Sequence, residues 1–365
     1  MAIEAYIRAM PKVELHVHLE GATSPQTLLT LARKNGIDLG FKTVDDVRAW
    51  YQFTDFPHFL KVYMALCNCI CSPEDIELLT REFLIGQAKQ HILYSEVTYT
   101  AYTHFQQHQI AFADQLGAIN RARRWAEQEL GVSMGIVLDI ARHIEPEDGL
   151  IIAEWAISGM DDGIVAFGLG GPEAGNPPEK FRTAFEQTRA AGLPAVPHAG
   201  EVVGPESIWG ALRTLHADRI GHGVRCLDDP ALVAELRDRQ VPLEVCPTSN
   251  VCLNVTPDLA GHPLPRLLDE GLLVTINSDD PPMFNTTLTD EYLNIARTFN
   301  LNIGTIQRLL LNAVTASFLP KERKDDMKRQ IRETQRDIDG ISSFTNDAAV
   351  NAAKKFAEVA FNIIA

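Results

Sequence analysis

Short, nearly continuous apolar runs recur along the chain, separated by longer stretches in which apolar residues return every three or four positions. The runs are Val13–Glu20, Ile92–Thr100, Val132–Ile140, Ile164–Gly171, Leu193–Gly200, Asp218–Arg225, Pro242–Asn250 and Leu272–Asp280. Such runs suit parallel strands buried on both faces. The stretches between them read as helices. Ala111–Glu129 carries Phe112, Leu116, Ile119 and Trp125 at helical spacing, and Pro178–Ala191, Pro205–Leu215 and Pro230–Arg239 each open with a proline suited to a first helical turn. Eight strand–helix units predict a (β/α)8 barrel, an α/β TIM-barrel fold.

Two regions exceed the minimal barrel. About 70 residues separate the first two strands, with helices expected over Ser24–Asn35, Val44–Trp50, His58–Ile70 and Pro73–Lys89. This insertion, residues 22–91, is placed to cap the mouth. Residues 287–365 add C-terminal helices: Leu288–Phe299, Ile303–Ser317, a charged helix near Pro320–Arg336, and an amphipathic Asn346–Ile364 with Val350, Ala353, Phe356, Ala360 and Ile363 on one stripe. With no repeat, low-complexity tract or linker, residues 1–365 read as a single domain.

Composition narrows the partners. The 365 residues carry a formal charge of -15 with 22% charged and 45% hydrophobic residues. That balance disfavours nucleic acid and anionic membrane surfaces, which require basic patches, but not a small neutral ligand. No basic, apolar leader opens the chain and no apolar window is long enough to span a bilayer, so a cytoplasmic location is expected. Of the six cysteines, Cys67, Cys69 and Cys71 form a C-x-C-x-C run that invites a metal reading. Residues two apart on a helix diverge, so buried, inert thiols are expected, as for Cys226, Cys246 and Cys252.

Polar chemistry collects at the carboxyl ends of the predicted strands, where barrels place their active sites. His16 and His18 lie two apart on strand one and share a face. His198 and Glu201 end strand five, His222 lies on strand six, Ser249 on strand seven, and Asp279 and Asp280 end strand eight. Core packing would choose Val, Ile or Leu there, and ionisable groups gathered without a metal would lose solvation with no compensation. Imidazoles with one carboxylate and an open position describe a catalytic Zn²⁺ site. Such an ion lowers the pKa of water from about 15.7 to about 7. Glu201, three residues past His198, suits a proton shuttle better than a ligand. His58, His91, His104, His108, His143, His216 and His262 read as surface or structural.

Five segments in this order resemble the adenosine deaminase family of the amidohydrolase superfamily: Pro11-Lys-Val-Glu-Leu-His-Val-His-Leu-Glu-Gly21, His198-Ala-Gly-Glu201, Arg219-Ile-Gly-His-Gly-Val-Arg225, Cys246-Pro-Thr-Ser-Asn250 and Ser278-Asp-Asp-Pro281. The resemblance spans roughly residues 10–330. It implies one zinc held by His16, His18, His198 and Asp279, and hydrolytic deamination of a 6-aminopurine. Glu201 would pass a proton to the ring, His222 would orient and stabilise the nucleophile, and Asp280 would contact both the attacking water and the ring. Gly171 would offer its N–H to the purine, His18 and Glu20 would touch substrate, and Ser249 would support the metal side.

Four features bear on the substrate. The family's adenosine deaminases usually have Asp at Glu20, where it contacts ribose. Gly168-Leu-Gly-Gly-Pro-Glu173 and Gly175–Phe181 look more like the adenine deaminase branch, whereas Gly221 looks like the nucleoside branch. The implied reaction is adenosine or 2′-deoxyadenosine to the inosine counterpart plus ammonia, with adenine and aminodeoxyfutalosine as alternatives. Oligomeric state is not encoded in these motifs. A binuclear amidohydrolase is disfavoured because strand four ends in glycines. A non-catalytic binding barrel is disfavoured because no ligand or shuttle residue is missing.

Overall fold

The computed structural model describes residues 2–343; the expected helix Asn346–Ile364 lies outside the described residues. Eight strands run in parallel in sequence order: β1 Lys12–His18, β2 Ile92–Tyr99, β3 Ser133–Ala141, β4 Ile164–Gly170, β5 Ala195–Ala199, β6 Ile220–His222, β7 Leu243–Val245 and β8 Val274–Ile276. The ring closes where β8 leads back to β1. Val17 bridges Asp279, His18 N–H donates to the Asp279 carbonyl at 2.9 Å, and Asp279 N–H donates to the His16 carbonyl at 3.1 Å. Helices surround the ring, giving the expected (β/α)8 barrel.

The last three strands are shorter than the apolar runs predict. Pro247 begins a helix, Pro247–Cys252, so Thr248, Ser249 and Asn250 are helical rather than extended. His222, the last residue of β6, and Asp279, just past β8, adopt positive φ, 60° and 64°, so the backbone turns there rather than continuing as extended strand. The unforeseen helix Ala2–Ala9 packs on Leu288–Thr298 and Ile303–Ala316.

The insertion between β1 and β2 folds as Pro25–Lys34, Val44–Trp50, Phe56–Cys67 and Pro73–Lys89. Each start has a local cause. Ser24, Asp55 and Ser72 accept N–H bonds from the first turn of helices that carry Pro25, Pro57 and Pro73 at their first or second position, and Thr43 forms a capping box with Asp46. The Asp55 cap moves the third helix two residues ahead of the expected His58. Phe53, Phe59 and Phe284 then pack face and edge over the barrel mouth, with ring centroids 5.3–5.9 Å apart. Cys67 and Cys69 are buried and Cys71 half-buried, all free thiols raised by burial.

Candidate active site

At the carboxyl end of the barrel, His16, His18, His198 and Asp279 each present a ligand atom within 4.8 Å of the others. His18 Nε2 lies 3.2 Å from His198 Nε2 and 3.3 Å from Asp279 Oδ1, and His16 Nε2 lies 3.5 Å from Asp279 Oδ1. Donors that share one ion at bonds of 2.0–2.1 Å lie about 3–4 Å apart, with room for a further ligand. The buried His16 Nε2 has no hydrogen-bond partner. Burial opposes a proton on His16, yet Asp279 and Glu244 raise the group to about 10, so the local field favours a cation. The residues present therefore fit a single metal ion with nitrogen and oxygen ligands.

Buried polar groups hold these donors from behind. Burial pushes the Glu244 carboxyl up, but Arg219 and His16 hold it below its ordinary value, so it stays ionised. His16 Nδ1 therefore donates to Glu244 Oε2 at 2.9 Å, and Arg219 Nε donates to Glu244 Oε1 at 2.6 Å. A carboxylate behind a ligating histidine fixes ring orientation and tautomer. Arg219 is itself paired with Glu96 at 2.6 Å. Asn277 Oδ1 accepts from Leu15 N and His16 N, while Glu14 Oε1 accepts from Ser278 N and Oγ. Ser249 Oγ donates to Asp279 Oδ2 at 2.7 Å. Glu244 and Glu96 escape sequence reading because each looks like an isolated charge within a strand, and Arg219 opens the motif that runs to Arg225 without a role being legible there.

Around the donors lies a cavity of about 360 Å³. His18, His198, His222, Glu201, Asp279 and Asp280 form its floor. Thr100, Thr103, Asp139 and His143 form one wall, Gly170, Gly171 and Pro172 another, and Phe56, Phe59, Leu60, Tyr63 and Met64 of the insertion form the roof. His222 Nε2 faces Glu201 Oε2 at 3.7 Å and Asp279 Oδ2 at 3.9 Å. Burial, then the Asp279 carboxylate, push Glu201 well above the ordinary range, so it holds a proton. Its loop is clamped by Glu173, whose two oxygens accept from the N–H groups of Gly200, Val202 and Val203 at 2.6–2.9 Å. Burial and Asp279 likewise raise Asp280. Asp280 fits because residue 21 is glycine: a Cβ there would lie 1.6 Å from Asp280 Oδ1.

The predicted residues His16, His18, His198, Glu201, His222, Asp279, Asp280 and Gly171 are thus brought together. Glu20 is placed differently from the expected sugar contact. It is fully buried behind the cavity wall, where Oε1 accepts from Thr100 N at 2.9 Å and faces His104 Nε2 at 3.2 Å, and Oε2 accepts from Tyr63 OH at 3.3 Å. Burial pushes this carboxyl up, but the His104 bond holds it below the ordinary value. Glu20 therefore reaches the cavity only through Tyr63 and Thr100. His104 is structural as read, whereas His143 lines the cavity.

A family model described as adenosine deaminase matches residues 11–334. The chain is 41% identical over 338 residues to the aminodeoxyfutalosine deaminase of Streptomyces avermitilis, covering 90% of this chain and 92% of the relative. The crystal structure of adenine deaminase from Arthrobacter aurescens superposes with a TM-score of 0.86 at 32% identity, covering 90% of this chain and 100% of the other. An amidohydrolase from Burkholderia ambifaria with bound Zn superposes with a TM-score of 0.85 at 25% identity, covering 93% and 95%.

Proposed function

The chain belongs to the adenosine deaminase family, and from that premise we propose that it deaminates a 6-aminopurine nucleoside carrying a bulky aromatic group at the sugar end, with aminodeoxyfutalosine as the first candidate. The coarser assignment is secure: the chain is a purine deaminase, a hydrolase of C–N bonds. Adenosine, favoured by the motifs, gives way because the similar proteins bear the names adenine deaminase and aminodeoxyfutalosine deaminase.

One observation carries the choice between those two, the size and roof of the cavity. About 360 Å³ lies within the range that encloses drug-sized ligands, about 300–1,000 Å³. With the amino-bearing edge of the purine at the histidines, the opposite end points to the mouth, under Phe56, Phe59, Leu60 and Met64. A bare base would leave that apolar wall unfilled.

The metal we assign is zinc, held by His16, His18, His198 and Asp279, in keeping with the three-nitrogen, one-oxygen donor set and with the zinc-bearing neighbour. When bound, it lowers the pKa of a water from about 15.7 to about 7 and so makes a nucleophile available at neutral pH. Glu201 carries the proton that must reach the purine ring as its amidine bond is broken. His222 faces the gap between Glu201 and Asp279 and stabilises charge there. Asp280, seated against Gly21, and Gly171, at φ 86°, meet the ring from the floor and from the β4 side.

The test is kcat/KM for aminodeoxyfutalosine, adenosine, 2′-deoxyadenosine and adenine, read by ammonia release. Aminodeoxyfutalosine should lead adenine by more than about tenfold, or about 1.4 kcal/mol of transition-state binding. A lead for adenine of that size overturns the nucleoside reading.

A further inference from the structure

Behind His222, on the side away from the cavity, two polar side chains remain without a role in the reaction. Asn250 belongs to the short helix Pro247–Cys252, and His262 precedes the helix Leu264–Asp269. Both are buried, Asn250 at 0% and His262 at 3% exposure. His262 Nδ1 lies 3.1 Å from Leu264 N, His262 Nε2 lies 3.0 Å from Asn250 Oδ1, and Asn250 Nδ2 lies 3.5 Å from His222 Nδ1.

The direction of every bond in this chain follows from its far end. A backbone N–H can only donate, so His262 Nδ1 accepts from Leu264. Burial holds His262 neutral, lowering it to about 4, so its single ring proton sits on Nε2 and is donated to Asn250. The atom of Asn250 that receives it is the amide oxygen. The amide NH₂ then faces His222 Nδ1, which accepts. In neutral His222 the remaining proton lies on Nε2, the nitrogen that faces Glu201 and Asp279.

We propose that Asn250 and His262 are positioning residues that lock His222 in the Nε2–H tautomer, so that it meets the reaction as a hydrogen-bond donor rather than as a base. The inference rests on the deaminase reading of this site. It concerns a relay that starts at a backbone N–H and ends at the reacting centre, and it explains why two buried polar groups stand where apolar packing would serve the core equally well.

Asn250→Asp is the sharpest test. A carboxylate nearly identical in shape can only accept, from His262 on one side and from His222 Nδ1 on the other. The variant therefore moves the His222 proton to Nδ1 and leaves a lone pair at Nε2. His262→Phe removes the orienting donor without adding charge and covers the case in which Asn250→Asp does not fold. The first readout is long-range ¹H–¹⁵N correlation of zinc-loaded, ¹⁵N-histidine-labelled enzyme, with His222 assigned by its loss in His222→Gln. The wild type should show unprotonated Nδ1 and protonated Nε2, Asn250→Asp the reverse, and His262→Phe a mixture. The second readout is kinetic: kcat for Asn250→Asp should fall by about 10²–10³-fold, as for loss of a preorganised donor, with KM within about threefold of wild type. A wild-type His222 protonated at Nδ1, or variants with the wild-type tautomer, overturns the lock. Inertness of the wild type toward every 6-aminopurine, with the tautomer pattern intact, refutes the substrate reading and leaves the lock supported.

Discussion

Glu244→Gln isolates the group that orients His16, the first of the four residues proposed to hold the metal. In the native site the ionised carboxylate accepts from His16 Nδ1 at 2.9 Å and from Arg219 Nε at 2.6 Å. The glutamine amide has one oxygen, and the arginine has no alternative to donating, so the oxygen turns toward Arg219 and the NH₂ toward His16. Nδ1 must then accept, which moves the ring proton to Nε2, the nitrogen that faces the other ligands. Ligation would require either reversal of the tautomer or rotation of the amide away from Arg219. Losses of this kind cost about 10–100-fold in metal affinity, or about 1.4–2.8 kcal/mol. Folding suffers less, because Arg219 keeps its contact with Glu96 at 2.6 Å and is not left as an unpaired buried charge. Zinc affinity should be measured by competition with a chromophoric chelator, beside thermal unfolding of the same preparations. Affinity within twofold of wild type would refute the orienting role of Glu244.

Three further outcomes follow from particular contacts. Glu201→Gln should lower kcat by about 10²–10⁴-fold, the usual worth of a positioned acid–base group, while the chain still binds one zinc by elemental analysis. Gly21→Ala places a methyl group 1.6 Å from Asp280 Oδ1; the displaced carboxylate should cost at least about tenfold in kcat/KM, and the overpacking about 1–3 kcal/mol in urea unfolding. Glu291 is fully buried and accepts from Thr248 N and Thr286 Oγ1, and burial raises it from 4.5 to about 7. Its stabilising contribution is therefore complete below about pH 4.3 and lost as pH rises through 7, about 3 kcal/mol in all. Glu291→Gln should flatten the fall in stability between about pH 4.5 and 7, and an unchanged slope in urea titrations would contradict this assignment.

Much of the fold is legible in the chain because the barrel's rules are local. Eight apolar runs mark eight strands, and Ser24, Thr43, Asp55 and Ser72 announce the insertion's helices three residues ahead of their partners. Strand ends are less legible. Pro247 reads as easily as a strand residue as a helix opener, and only the structure shows that Ser249 reaches Asp279, and Asn250 the back of His222, from a helix. The residues proposed to hold the metal are visible because alternation places His16 and His18 together and because histidine is out of place in a barrel core. Their supports are not visible: Glu244 pairs with His16 across 228 residues, and no periodicity encodes that contact. Glu20 shows the opposite limit. Its position beside the metal pair suggests a substrate contact, yet the Tyr63, Thr100 and His104 side of the fold claims both of its oxygens.

The most direct test of the account is a metal titration of activity. Enzyme stripped by chelation should regain ammonia release from its 6-aminopurine substrate in proportion to added zinc, saturating at one ion per chain. In H₂¹⁸O the product should carry a single ¹⁸O at C6. Full activity in the metal-free protein, or a requirement for a second ion, would contradict a mononuclear hydrolytic site built on His16, His18, His198 and Asp279.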